Sequence, residues 1–216
     1  MRAAFGDDQA AWQVCRAMMP CGVQGVEEIG AAAMPGLDTE AARRAVAVSG
    51  YNGERTVVMA PMDIPQLGTF GVVTADLLRK IGMNVDFQPM DWGTQIQRTS
   101  NREPVERGGW SMFHTAGSRV SMANPALNMY MRGQGLKGWV GWYDKPEVEA
   151  IAQEWLDSPS EAPRRDLYDR LQRVLLADPP FLPLGQFGAY TALGRGISGI
   201  LDGTGSYPWN VRREAA

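Results

Sequence analysis

Residues 56–90, TVVMAPMDIPQLGTFGVVTADLLRKIGMNVDFQPM, hold the pattern that decides the fold. Thr56 to Ala60 is a β-branched, apolar run opened by Arg55 and closed by Pro61. An unbroken apolar run leaves no polar face, so it predicts a strand buried on both sides, the central strand of a parallel sheet. Leu67, Phe70, Val73, Leu77, Leu78 and Ile81 then recur at helical spacing up to Gly82, which predicts a helix with one apolar stripe. Asn84 to Pro89 predicts the next strand.

Working outward, Trp92 and Ile96 share a face of a helix expected from Asp91 to about Arg98, and Gly109 to His114 reads as a third extended run. Residues 56–115 therefore read β-α-β-α-β, the signature of an α/β fold with a mainly parallel sheet flanked by helices. Upstream, Asp38 suits the cap of a helix ending near Gly50, and Trp12, Cys15 and Met18 suggest a helix over 7–19 that Pro20 ends. Downstream, Asp144 and Glu147 resemble a capping box ahead of Val148, Ile151, Ala152, Trp155 and Leu156. A further helix is expected over 161–178, stopped by Pro179 and Pro180, with closing strands at Phe181 to Phe187 and Tyr190 to Leu193. At 216 residues, the whole span 1–216 is expected to be a single domain.

The chemistry is as informative for what it excludes. A net charge of −3 without a Lys/Arg cluster gives no footprint for nucleic acid. Cys15 and Cys21 have no accompanying His or second Cys pair, so no metal site is expected, and the two thiols are either bonded or free in the core. Gly133-Gln134-Gly135 and Gly194-Arg195-Gly196 complete no phosphate-binding pattern, so no cofactor is expected. His114 is the one histidine, and no Gly-x-Ser-x-Gly elbow accompanies it, which argues against an enzyme. At the carboxyl end of a parallel strand, His114 is placed for ligand contact instead. Trp92, Trp110, Trp139 and Trp142 fall at strand ends or loops, which favours a small-molecule pocket. The start, Met1 to Asp8, lacks the apolar core of a secretory signal, so the protein is cytosolic or an upstream part is missing.

Three stretches together resemble the dipeptide/oligopeptide/nickel class of extracellular solute-binding proteins that serve ABC importers. They are Asp38 to Gly53; Ala75 to Trp92; and Gly109-Trp110 followed by Asn124-Pro125, Trp142, Asp166-Leu167-Tyr168 and Pro179 to Leu184. The resemblance covers about Asp38 to Arg213. It implies the carboxy-terminal lobe (lobe II) of a type II, cluster C binding-protein fold, with a first lobe and a signal peptide upstream and a periplasmic location. It also implies the substrate-binding component of an ABC import system, capturing a peptide-like or opine-like solute between two lobes and delivering it to a membrane permease. A ligand-sensing domain of a regulatory protein is the alternative.

Carried over by resemblance, the ligand contacts are Met62, Trp92, Gly109, Trp110 and Ser111, with Arg107 as a carboxylate partner and Phe113 and His114 beside them. An oxidising periplasm favours the Cys15–Cys21 disulfide. Peptide-binding members carry an Asp three residues after the Trp, to hold the ligand's ammonium. Here Phe113 stands in its place, which points to a ligand presenting an apolar or uncharged group.

Overall fold

Val57, Val58, Met59 and Ala60 are 0% exposed in strand β1, Thr56–Pro61, as an unbroken apolar run requires. In the computed structural model, β1 pairs in parallel with β2, Val85–Met90, and on its other side in parallel with β3, Met112–Phe113. The structure describes residues 1–8, 10–22, 30, 34, 36, 38–188, 192–201, 203 and 207–214. The sheet order is β2-β1-β3, with Thr56 opposite Val85, Pro61 opposite Met90, and Met59 opposite Phe113. The fold is α/β with a parallel sheet flanked by helices. Within the span read as one domain, the chain divides into two compact units, 1–9 with 32–116, and 10–31 with 117–216.

In the first unit, helix α1, Thr39–Val48, starts where the Asp38 side chain accepts the Ala41 N–H. Helix α2, Pro65–Lys80, joins β1 to β2, and helix α3, Trp92–Thr99, follows β2. Asp91 caps α3 by accepting from both the N–H and the hydroxyl of Thr94, which holds its carboxyl below the usual range. The face α2 turns to the sheet differs from the expected stripe. Leu67, Gly68, Gly71 and Ala75 are buried, whereas Val73 is exposed. Small residues let the helix backbone approach β1 more closely than a leucine ridge would. A Cβ at Gly71 would stand 2.5 Å from the Ala60 Cβ. Gly82, at φ +96°, ends the helix as expected. In α3 the inward residues are Gln95 and Thr99, while Ile96 is 40% exposed.

The second unit is built on helices α4, Pro146–Asp157, and α5, Glu161–Ala177. Val148 and Ile151 of α4 and Leu167, Leu171 and Leu175 of α5 pack with Met131 and with Cys15, Met18 and Met19. The helix expected over 7–19 does not form. Residues 12–13 instead pair antiparallel with 186–187, and the Met18 N–H is held by the buried Gln172 side chain at 2.9 Å. Tertiary pinning overrides the local periodicity here. The capping box is also replaced: α4 starts at Pro146 with Lys145 as its cap, because Asp144 is engaged in a bridge with Gln134. The expected strand at Phe181 to Phe187 contracts to Gln186–Phe187. In the other, Tyr190 and Thr191 lie outside the described residues.

Cys15 and Cys21 are joined in a disulfide with Cα atoms 5.8 Å apart. Cys15 is 4% exposed within the core of the second unit. Replacing both cysteines with serine is expected to cost about 2 kcal/mol, from the chain freedom that a short closed loop removes in the unfolded state. The check is thermal unfolding of wild type with and without reductant beside the double variant. An unchanged midpoint would show that the bond contributes nothing.

Candidate functional site

In open parallel sheets, ligands bind at the carboxyl ends of the strands where the strand order reverses. Here β1 connects to β2 on one side, and the chain then crosses back to β3 on the other, so the reversal lies between β1 and β3. The carboxyl end of β1 runs into Met62 and Asp63, and that of β3 into His114 and Thr115. The carboxyl end of β2 leads through Asp91 into Trp92 at the start of α3.

These corners are fastened to each other. The Met62 N–H donates to the Met90 carbonyl at 2.8 Å, extending the β1–β2 ladder one step beyond the strand. The Trp92 N–H donates to Asp63 Oδ1 at 2.8 Å, tying the start of α3 to the loop after β1. Met62 stays 48% exposed, Asp63 is exposed and Trp92 is half-buried, so a thioether, a carboxylate and an indole border one edge.

His114 lies beneath this edge at 7% exposure. Its Nε2 is 3.0 Å from the Thr74 hydroxyl of α2, its ring centroid is 6.2 Å from that of Phe70, and its carbonyl accepts from the Gln95 amide of α3 at 3.3 Å. Burial pushes its pKa down to about 4, so it is neutral at physiological pH. The unfolded chain takes up its proton near pH 6.5. Between those values the unfolded state binds more protons than the folded one, so stability is complete above pH 6.5 and falls as the pH drops toward 4. The expected loss is about 3 kcal/mol. Denaturant titrations at pH 7 and pH 4 should show it in wild type and much less of it in His114→Gln. An equal pH slope in both would contradict this origin.

The remaining residues expected at the site lie elsewhere. Ser111 stands level with Val57, donating its N–H to the Val57 carbonyl at 3.0 Å and accepting the Val57 N–H on Oγ at 3.1 Å. Gly109 and Trp110 precede it, at the amino edge of the sheet, roughly 20 Å from Met62 at about 3.3 Å per strand residue. Trp110 donates its indole N–H to the Thr99 carbonyl at 3.1 Å and meets the Phe113 ring edge-on at 5.0 Å. The Gly109 carbonyl accepts from Arg98 at 2.9 Å. Arg107 pairs with Glu103 at 2.5 Å, both exposed. The expected convergence of Met62, Trp92 and the 107–114 stretch on one edge is therefore corrected. Met62, Trp92 and His114 gather at the carboxyl edge, while Arg107, Gly109, Trp110 and Ser111 are engaged at the opposite one. The reason is register: the extended segment continues past Trp110 to His114 before it reaches the carboxyl edge.

The second unit has a partly buried ion pair that sequence reasoning missed. Arg132 meets Glu149 through two nitrogens at 2.7 and 2.5 Å, and Glu149 also accepts the Gly133 N–H at 2.8 Å. Shared hydrogen bonding holds the Glu149 carboxyl below its usual range and the Arg132 guanidinium above its own. A cavity of about 190 Å³ beside it is lined by Tyr130, Trp139, Tyr143 and Pro180. Its guanidinium is already neutralised, so it offers no unspent charge for a ligand. Among the described residues, no group of three or more His, Cys, Asp or Glu side chains is placed to hold a metal ion, and no helix is long and apolar enough to cross a membrane.

Comparison with solved structures finds the same fold in binding proteins. The chain matches the dipeptide-binding protein of Pseudoalteromonas sp. SM9913, solved with Met-Leu, at TM-score 0.74 and 19% identity, over 94% of this chain and 41% of that one. It matches the binding protein AgaA of A. tumefaciens, solved with agropinic acid, at TM-score 0.73 and 15% identity, over 100% of this chain and 44% of that one. No family model matches. In sequence the chain is 32% identical over 179 residues to the probable peptide ABC transporter periplasmic-binding protein y4tO of Sinorhizobium fredii (strain NBRC 101917 / NGR234). That alignment takes in 83% of this chain and 34% of the relative, so the chain spans about a third of the relative's length. By fold and by sequence, it is similar to the solute-binding proteins of the dipeptide and oligopeptide type.

Proposed function

We propose that the chain is the carboxy-terminal lobe of an exported, two-lobed solute-binding protein that passes a peptide-like or opine-like solute to an ABC permease. The observation that carries this reading is the carboxyl edge, where Met62, Asp63 and Trp92 border the sheet's reversal point above a buried, neutral His114. Likeness to binding proteins solved with Met-Leu and with agropinic acid supports both the transport role and the size of the solute. Non-catalytic capture suits the edge, since its histidine is buried and neutral and, among the described residues, its ring is hydrogen-bonded to the Thr74 hydroxyl rather than to a carboxylate that could orient it for proton transfer.

The edge also bears on solute chemistry. Phe113 occupies the place where peptide-binding members carry an acid, and it turns its ring to Trp110 at the other end of the strand. Asp63 is then the carboxylate available for a cationic end group, with Oδ1 fixed by the Trp92 N–H. Met62 and Trp92 supply adaptable apolar contact for the remainder of the solute. The test is native mass spectrometry of the full-length protein purified from its own periplasm. The expected result is a small-molecule adduct released on denaturation. An apo mass that persists after incubation with dipeptide and opine mixtures would overturn the proposal.

A further inference from the structure

In the second unit, the stretch Gly138-Trp139-Val140-Gly141-Trp142 turns in a shape that its side chains do not favour. Gln134 bridges Asp144, and the Gly135 N–H donates to the Tyr143 carbonyl at 2.8 Å, so residues 134–144 close on themselves as a loop. At its tip the Trp142 N–H donates to the Trp139 carbonyl at 3.0 Å, with φ of +100° at Gly141 and +53° at Trp142. Among the described residues, Trp142 is the one residue other than glycine in that region. A bulky side chain is strained there, and such strain persists only where the surroundings hold it and tends to gather at ligand sites. One holding bond is the Tyr143 hydroxyl, which donates to the Asp178 carbonyl at 3.0 Å, just beyond α5. The loop so held presents Trp139, edge-on to Tyr130 with centroids 5.3 Å apart, to two cavities at once. The first is the 190 Å³ cavity already described. The second, of about 340 Å³, is bordered by Leu127, Met129 and Lys137, with Leu127 60% and Met129 47% exposed. By volume the second alone falls in the range of small-molecule sites, about 300–1,000 Å³.

We propose that this double cavity is a binding site for a small aromatic carboxylate, with its ring against Trp139, Met129 and Leu127 and its carboxylate on the Lys137 ammonium. The balance of charge around the cavities selects the class. Arg132 borders both, but its guanidinium is spent on Glu149. Lys137 is exposed, and among the described residues its ammonium pairs with no carboxylate. One unspent positive charge beside indole and thioether surface suits a monoanion with a flat apolar body. A cation would meet Lys137 unfavourably, and a neutral hydrocarbon would leave its charge unused. The site lies wholly in the second unit and does not rest on the reading of the carboxyl edge.

The test titrates the 15N-labelled full-length protein with phenylacetate, and separately with its neutral counterpart phenylacetamide, at millimolar concentration. Phenylacetate should shift the Trp139 indole N–H and the amides of residues 136–141 saturably. Phenylacetamide should bind about three- to fivefold more weakly, the effect expected of a partly exposed ion pair. Lys137→Gln should weaken phenylacetate by the same factor and leave phenylacetamide unchanged, and Trp139→Ala should weaken both about tenfold or more. Because Lys137 is exposed, its variant keeps the test intact if Trp139→Ala does not fold. Absence of saturable shifts around Trp139, equal affinity for the acid and the amide, or binding that survives Trp139→Ala and is lost in Trp92→Ala would each overturn the proposal. The last of these outcomes would assign phenylacetate to the carboxyl edge instead, so failure here leaves the proposed transport role standing.

Discussion

Gly71→Val should cost the first unit its fold. The helix carrying Gly71 lies so close to β1 that even one added carbon would come within 2.5 Å of the Ala60 Cβ and 3.5 Å of the Phe87 ring. Ala60 is itself 0% exposed and paired with Pro89 of β2, in a strand whose Val58 and Met59 also pair with β3, so it cannot retreat without disturbing the ladder. Valine adds a branched side chain at the tightest point of that contact. Overpacking a filled core typically costs about 1–3 kcal/mol, and the immobile backbone on both sides puts this case at or above the upper end. Amide exchange at Val57 to Ala60 reads the effect directly: wild type should protect these amides strongly, and the variant should lose most of that protection. Val72→Ala, one residue away and 47% exposed, is the control and should change little. Protection retained in Gly71→Val would mean the helix sits farther from the sheet than described.

The second large effect separates the two edges of the sheet. Trp92→Ala in the full-length protein should weaken solute binding at least tenfold, the loss of roughly 1.4 kcal/mol or more when an aromatic contact is truncated. Its stability should change little, because the Trp92 backbone N–H, not its ring, makes the bond to Asp63. Trp110→Ala should do the reverse. It removes an indole bonded to Thr99 and packed on Phe113, lowering stability by a few kcal/mol while leaving the affinity of the folded protein nearly intact. Calorimetric titration paired with denaturant unfolding on both variants measures the four quantities. If Trp110→Ala weakens binding and Trp92→Ala does not, the assignment of the edges is wrong.

That contrast shows how far the sequence can be read. The central strand was legible because a run buried on both faces needs no partner to be identified, and so was the β-α-β-α-β order that follows from it. The α2 contact face was not. Hydrophobic periodicity weights Phe70, Val73 and Leu77, whereas close packing against β1 is made by Gly68, Gly71 and Ala75, whose contribution is the absence of side chain. The site was half legible for a related reason. Met62 and Trp92 follow strands whose ends the sequence marks, by Pro61 in one case and by the capping Asp91 in the other. The third strand carries no such mark. Gly109-Trp110 resembles a stretch of the solute-binding class, but only the pairing of Met112 with Val58 reveals that those residues lie at the amino edge. His114, Thr74 and Gln95 come together from three elements, and sequence patterns do not report such meetings.

A crystal structure of the full-length protein with its co-purified solute tests the central claim most directly. The account predicts solute density against Met62, Asp63 and Trp92, at the carboxyl ends of β1 and β2. Density packed instead against Gly109, Trp110 and Ser111, or lying away from the sheet altogether, would contradict it.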